Sequence, residues 1–197
     1  MSKVGKKRIA VLVSGGGSNL QSIIDNIDSG NLSCEISYVI ADRECYGLKR
    51  AENHKIRNIM MNRKLFGENL SDEISLILEN DENKTDYIVL AGYLSILSES
   101  FIDKWKGKII NIHPSLLPKF GGKGMYGINV HRAVIEAKEK ESGATIHFVD
   151  NGIDTGEIIM NVKVPVLEDD TPETLQKRIL EKEHILMIEG IKKLLVK

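Results

Sequence analysis

Residues Val11 to Ile24 read VLVSGGGSNLQSII, an apolar run that breaks at three glycines and resumes as a helix. Ile9 to Val13 supplies a strand. Gly15, Gly16 and Gly17 allow a sharp turn and a close approach of a ligand to the main chain. Ser18 suits a helix cap, and Leu20, Ile23, Ile24 and Ile27 follow at helical spacing. Free amides at a helix N-terminus, beside the positive end of the helix dipole, make a site for a phosphate or other anion. Two familiar phosphate loops fit poorly. Gly17-Ser18-Asn19 stands where a Walker loop needs Gly-Lys-Ser/Thr, and Leu20 stands where the dinucleotide fingerprint needs its third glycine. A single phosphate on a small molecule is the more economical reading.

Outward from this stretch the chain alternates strands and helices. Glu35 to Ile40 reads as a strand, Gly47 to Asn53 as a helix, and Arg57 to Met61 as a short strand. Leu70, Ile74, Ile77 and Leu78 mark one face of a helix over Glu68 to Asn80. Tyr87 to Ala91 and Lys108 to Ile112 are unbroken apolar runs, as strands covered on both faces are; Ser98 to Trp105 is a short helix between them. The rhythm predicts an α/β fold, a Rossmann-like doubly wound and mostly parallel sheet with right-handed crossovers. Pro114 to Ile128 then holds two prolines and four glycines and reads as a long, functional loop. A helix over Val130 to Lys138 follows. Ala144 to Val149 and Glu157 to Val164, joined by turns, predict an antiparallel C-terminal hairpin added to the sheet. Thr171-Pro172 opens a last helix running to about Leu195.

At 197 residues this reads as one domain, 1–197, large enough for a core without staples. A net charge of −1 with no basic stripe argues against nucleic acid as a partner. Nothing approaches membrane-spanning length, and the basic Met1 to Arg8 has no adequate signal core behind it, so a cytoplasmic location is expected. Cys34 and Cys45 make no ligand or redox spacing. With no HExxH or spaced Cys/His set, no metal is expected.

The chemistry concentrates at Ile109-Ile110-Asn111-Ile112-His113-Pro114. Residues two apart on a strand share a face, so Asn111 and His113 point the same way at the C-terminal end of a buried strand, where open α/β sheets bind ligands. Pro114 has no amide and stops strand pairing, which leaves His113 at the rim of the cleft. A carboxamide and an imidazole suit a reaction that creates an oxyanion; the bland alternative is a strand-end histidine bonded to a loop. Asp150 to Gly156, DNGIDTG, offers two carboxylates. One facing His113 would orient the ring and favour its charged form, and the pattern does not choose between Asp150 and Asp154. His54 reads as solvated surface, His131 as the opening of a helix with ligand contact the lesser reading, and His147 as structural. Glu183 and His184 are neighbours on a helix and face different ways.

Five stretches, SGGGSNLQSII, VLAGYLSIL, IINIHPSLLP, GATIHFVDNGIDTG and KEHILM, fall in the order found in phosphoribosylglycinamide formyltransferases, the folate-dependent enzymes of purine synthesis, and the chain resembles that family along nearly its full length. The resemblance implies the formyltransferase fold, glycinamide ribonucleotide as substrate and 10-formyltetrahydrofolate as co-substrate. It places Asn111 and His113 at the formyl group, with Asp154 holding His113. Gly16, Gly17, Ser18 and Asn19 would bind the ribonucleotide phosphate and Glu183 its glycinamide end. Leu94, Ser95, Ile96 and Leu97, with Asp150, Asn151, Gly152, Ile153 and Asp154, would line the pterin pocket together with Asn111. Ser95, Asn69 and Leu180 depart from the family pattern. Related methionyl-tRNA formyltransferases and formyltetrahydrofolate deformylases carry an added domain, for which a chain from Arg8 to Lys197 leaves no room; a non-catalytic nucleotide-binding module is the alternative from another class. A monomer or a homodimer is expected, with small molecules as the partners.

Overall fold

The computed structural model describes residues 5–80 and 84–196. In chain order the elements are β1 (Lys7–Val13), α1 (Ser18–Asp28), β2 (Cys34–Ala41), α2 (Tyr46–Asn53), β3 (Asn58–Met60), α3 (Arg63–Phe66), α4 (Leu70–Asn80), β4 (Tyr87–Leu90), α5 (Glu99–Lys104), β5 (Ile109–His113), α6 (Ile128–Glu136), β6 (Glu141–Phe148), β7 (Ile158–Pro165) and α7 (Pro172–Leu195). They build a seven-stranded sheet in the order β3-β2-β1-β4-β5-β6-β7. The first five strands are parallel, β6 runs antiparallel to β5, and β7 antiparallel to β6. This is the doubly wound layout with a C-terminal hairpin that the sequence predicts.

β1 shows why both faces are covered. Ile9, Val11 and Val13 enter one apolar cluster with α1 and α7, while Ala10 and Leu12 enter the other with α4 and α5. Alternate residues of one strand thereby feed two cores. The chain winds outward through β2 and β3, then returns to place β4 on the other side of β1. That reversal opens a crevice at the C-terminal ends of β1 and β4, where ligands bind in such sheets.

Two local expectations need correction. Ser18 is not the cap of α1: Gly17 holds that position at φ 68°, without a side-chain cap, and Ser18 is the first helical residue. A Cβ on Gly17 would lie 2.7 Å from Gly47 Cα, so the approach of α2 admits only glycine there. The second concerns β6, which begins at Glu141 rather than Ala144, because its ladder with β7 extends from His147↔Ile158 to Glu141↔Pro165.

α7 carries its own anchor. Thr171 and Thr174 form a reciprocal capping box, and the preceding Asp170 accepts from both terminal nitrogens of Arg178 at 2.7 Å. The Arg178 guanidinium holds the Asp170 carboxyl well below the usual carboxylate range, against the opposing effect of burial. A depressed folded value means the stabilisation is present above the unfolded value of about 3.9 and is lost as pH falls below it. Asp170→Asn should therefore cost about 2 kcal/mol at pH 7, and the gap should narrow below about pH 4. Urea unfolding across pH measures it; a gap that stays constant to pH 3 contradicts the pairing. No helix among the described residues is long and apolar enough to cross a membrane.

Candidate active site

A cavity of about 850 Å³ opens at the C-terminal edge of the sheet. One end is the glycine turn after β1. Gly15 O accepts from Gly47 N at 3.0 Å, and Gly16 O from Arg50 Nε at 2.8 Å. In a trans peptide the carbonyl and the following N–H point opposite ways. Tethering these two carbonyls to α2 thus turns the Gly16 and Gly17 amides away from it, and the turn lines the cavity through Ser18. Asn19 is buried beside them; its Nδ2 donates to Glu183 Oε2 at 2.9 Å, joining α1 to α7. Burial raises the Glu183 carboxyl above its usual range, and the Asn19 bond only partly offsets it.

Another part of the lining is apolar. Leu94 and Ile96 are exposed on the loop after β4, and Ile153 lines the same cavity from the turn after β6. Leu97 lines the same wall but is buried in the core, and the Ser95 hydroxyl is committed to Asp42.

Asn111, His113, His147 and Asp154 line the same cavity. The register pairs Asn111 with His147 and His113 with Thr145 across β5 and β6. Directly opposed residues share a face, so His147 joins the site. Along the sequence it reads as structural; its signal lies in strand pairing, which a single chain segment does not display. His147 Nδ1 donates to Phe148 O at 2.8 Å, which leaves Nε2 to accept from Asn111 Nδ2 at 3.1 Å. Burial holds His147 below the usual imidazole range, consistent with that neutral, accepting ring. The carboxamide is thereby oriented.

His113 is 4% exposed. Its Nε2 donates to Phe120 O at 2.8 Å, and its Nδ1 lies 3.4 Å from Asp154 Oδ2. An acceptor thus stands opposite each ring nitrogen. Asp154 Oδ2 also accepts from Gly122 N at 2.9 Å, and Oδ1 lies 3.7 Å from His147 Nε2. Asp150 plays a different part: its Oδ1 accepts from Gly152 N at 3.1 Å and Thr155 Oγ1 at 2.7 Å, which shapes the turn. Geometry makes the choice that the pattern left open. Asp154 sits at φ 59°, a left-handed conformation that Asp and Asn tolerate better than most residues. His131 lines the cavity almost wholly buried, and burial, helped by the nearby His113, pushes it down to about 4. His54, as expected, lies at the surface, with Nδ1 3.7 Å from Asp28.

A family model described as formyl transferase matches residues 7–191. The phosphoribosylglycinamide formyltransferase of Haemophilus influenzae is 41% identical over 90% of this chain and 82% of its own length. The trifunctional purine biosynthetic protein adenosine-3 of Chironomus tentans is 40% identical over 96% of this chain, which spans only 14% of that longer protein. The crystal structure of a phosphoribosylglycinamide formyltransferase from Bacillus halodurans superposes with a TM-score of 0.87 at 36% identity, covering 97% of this chain and 96% of the other. With the family model running from β1 into α7 and a relative of 41% identity covered over 82% of its length, this chain belongs to the formyl transferase family.

Proposed function

We propose that the protein transfers the formyl group of 10-formyltetrahydrofolate to the glycinamide amine of glycinamide ribonucleotide, giving formyl-glycinamide ribonucleotide and tetrahydrofolate in purine synthesis. The observation that carries this reading is that Asn111, His113 and Asp154 line one cavity together with the glycine turn and the apolar Leu94, Ile96 and Ile153. The residues suit both ligands. Asn19 Oδ1 and His131 Nδ1 are buried on the cavity lining without a partner among the described residues, as ligand-binding groups are. The Gly16 and Gly17 amides, Ser18 and Asn19 hold the phosphate, Glu183 the glycinamide end, and the 94–97 and 150–154 segments the pterin.

The folate supplies the formyl carbon. The substrate amine attacks that carbon, a C–N bond forms, and negative charge develops on the formyl oxygen. Asn111 Nδ2 and a His113 N–H donate to that oxygen, the Phe120 carbonyl yielding its hold on Nε2. Asp154, 3.4 Å from Nδ1, orients the ring and takes part in moving the amine proton to the folate nitrogen, whose bond to the formyl carbon breaks as the oxyanion collapses.

Mixing the protein with both substrates tests the reaction. Consumption of the formyl donor should require the ribonucleotide and yield one formylated amine per donor. Consumption without ribonucleotide would make water the acceptor and overturn the assignment. A Gly17→Ala variant should raise KM for the ribonucleotide by roughly tenfold or more and cost about 1–3 kcal/mol of stability. The steric reason is the φ of 68° and the 2.7 Å approach to Gly47. An unchanged KM would remove the phosphate from this turn.

A further inference from the structure

Asp42 is fully buried at the end of β2, and the transfer reaction gives it no part. Its Oδ1 accepts from Arg43 Nε at 2.9 Å, and its Oδ2 from Arg43 Nη2 at 2.6 Å and Ser95 Oγ at 2.5 Å. Ser14 adds a further hydroxyl donor. Burial alone would push this carboxyl up, but the bonds from Arg43, Ser95 and Ser14 together hold it below its usual range. It is therefore a buried anion, and such a charge is costly to desolvate unless its partners are well placed.

Those partners tie one loop to two strand ends. Ser14, at the end of β1, donates its own amide to Gly92 O at 3.1 Å, and its Oγ accepts from Leu94 N at 2.8 Å. Ser95 reaches Asp42 directly. The chain after β4 is thus fastened at Gly92, Leu94 and Ser95, and its outer side presents Leu94 and Ile96 to the cavity. With its hydroxyl turned inward, Ser95 contributes that wall's main-chain course rather than a polar contact.

We infer that Asp42 is a positioning residue for the transfer reaction, acting through Ser95 to fix the wall against which the folate rests. The inference rests on the function proposed above. Asp42 grips the loop after β4 through Ser95, and its bonds from Arg43 and Ser95 include none to Asn19 or Glu183, so its effect should fall on the folate.

The test is the affinity of folded variants for tetrahydrofolate and for glycinamide ribonucleotide, measured by calorimetry alongside turnover. Asp42→Ala should weaken tetrahydrofolate binding and raise KM for the formyl donor by roughly tenfold, with ribonucleotide affinity within about twofold of wild type. Asp42→Asn, which keeps an acceptor for the two serines, should recover most of the loss. Ser95→Ala, the milder change, should weaken the folate by roughly threefold and carries the test if Asp42→Ala does not fold. Equal losses for both ligands, or an unchanged folate affinity in folded variants, would overturn the inference. A wild type that binds tetrahydrofolate without turnover would sink the proposed reaction and leave the wall to be judged on affinity. A wild type that does not bind it overturns both.

Discussion

His113→Ala should lower kcat by roughly 1000-fold while the affinity for glycinamide ribonucleotide stays within a few-fold. The ring donates from Nε2 to Phe120 O at 2.8 Å, and its Nδ1 stands 3.4 Å from Asp154 Oδ2. Its two neighbours, His131 and His147, are both held toward the neutral form by burial, and His147 Nε2 is already taken up by Asn111 Nδ2. Alanine removes the Nε2 donor and leaves Asp154 facing a gap, so the loss falls on the step where charge develops. The glycine turn and Glu183 are untouched. Steady-state kinetics with both substrates, and direct ribonucleotide binding, measure the two quantities separately. Normal turnover with a large loss of affinity would take His113 out of the chemistry.

Asp154→Asn ranks second, with kcat expected to fall by roughly 100-fold. Asparagine accepts the left-handed backbone at φ 59° and keeps an oxygen for the Gly122 amide, so the turn and loop should persist. What it removes is the negative charge 3.4 Å from His113 Nδ1 and 3.7 Å from His147 Nε2. The His113 ring then loses the carboxylate that orients it, so the fall should appear in kcat while KM for the ribonucleotide stays within a few-fold. An unchanged kcat would mean that Asp154 serves only to hold the loop. Asp154→Ala is the less informative variant, because it adds backbone strain to the loss of charge.

How much of this was legible in the chain depends on how local each feature is. The β1–glycine–α1 unit is local, so apolar run, turn and helical spacing announce it within fourteen residues. Asn111 and His113 are local too, since alternation along one strand puts them on one face. The identity of the α1 cap is not, because α2 decides it: Gly47 crowds Gly17, and Ser18 is displaced into the helix. His147 enters the site only through the register of β5 with β6. Asp154 parts from Asp150 because the intervening turn aims one carboxylate at His113 and the other at its own backbone. Asp42 looks like an ordinary strand-end residue in IADRE; its meaning depends on Ser95, 53 positions away. Pairing, turn geometry and helix approach are thus the three things the linear text withholds.

The glycine turn offers peptide amides to the cavity, and its carbonyls are already tethered by α2. A drug whose anionic head group lies against these amides addresses atoms that every residue type shares. Codon changes that alter side chains leave those atoms where they are, and changes at Gly17 damage the turn itself. Inhibitors anchored there face a narrow route to resistance, narrower than those that lean on the Leu94 and Ile96 side chains in the same cavity.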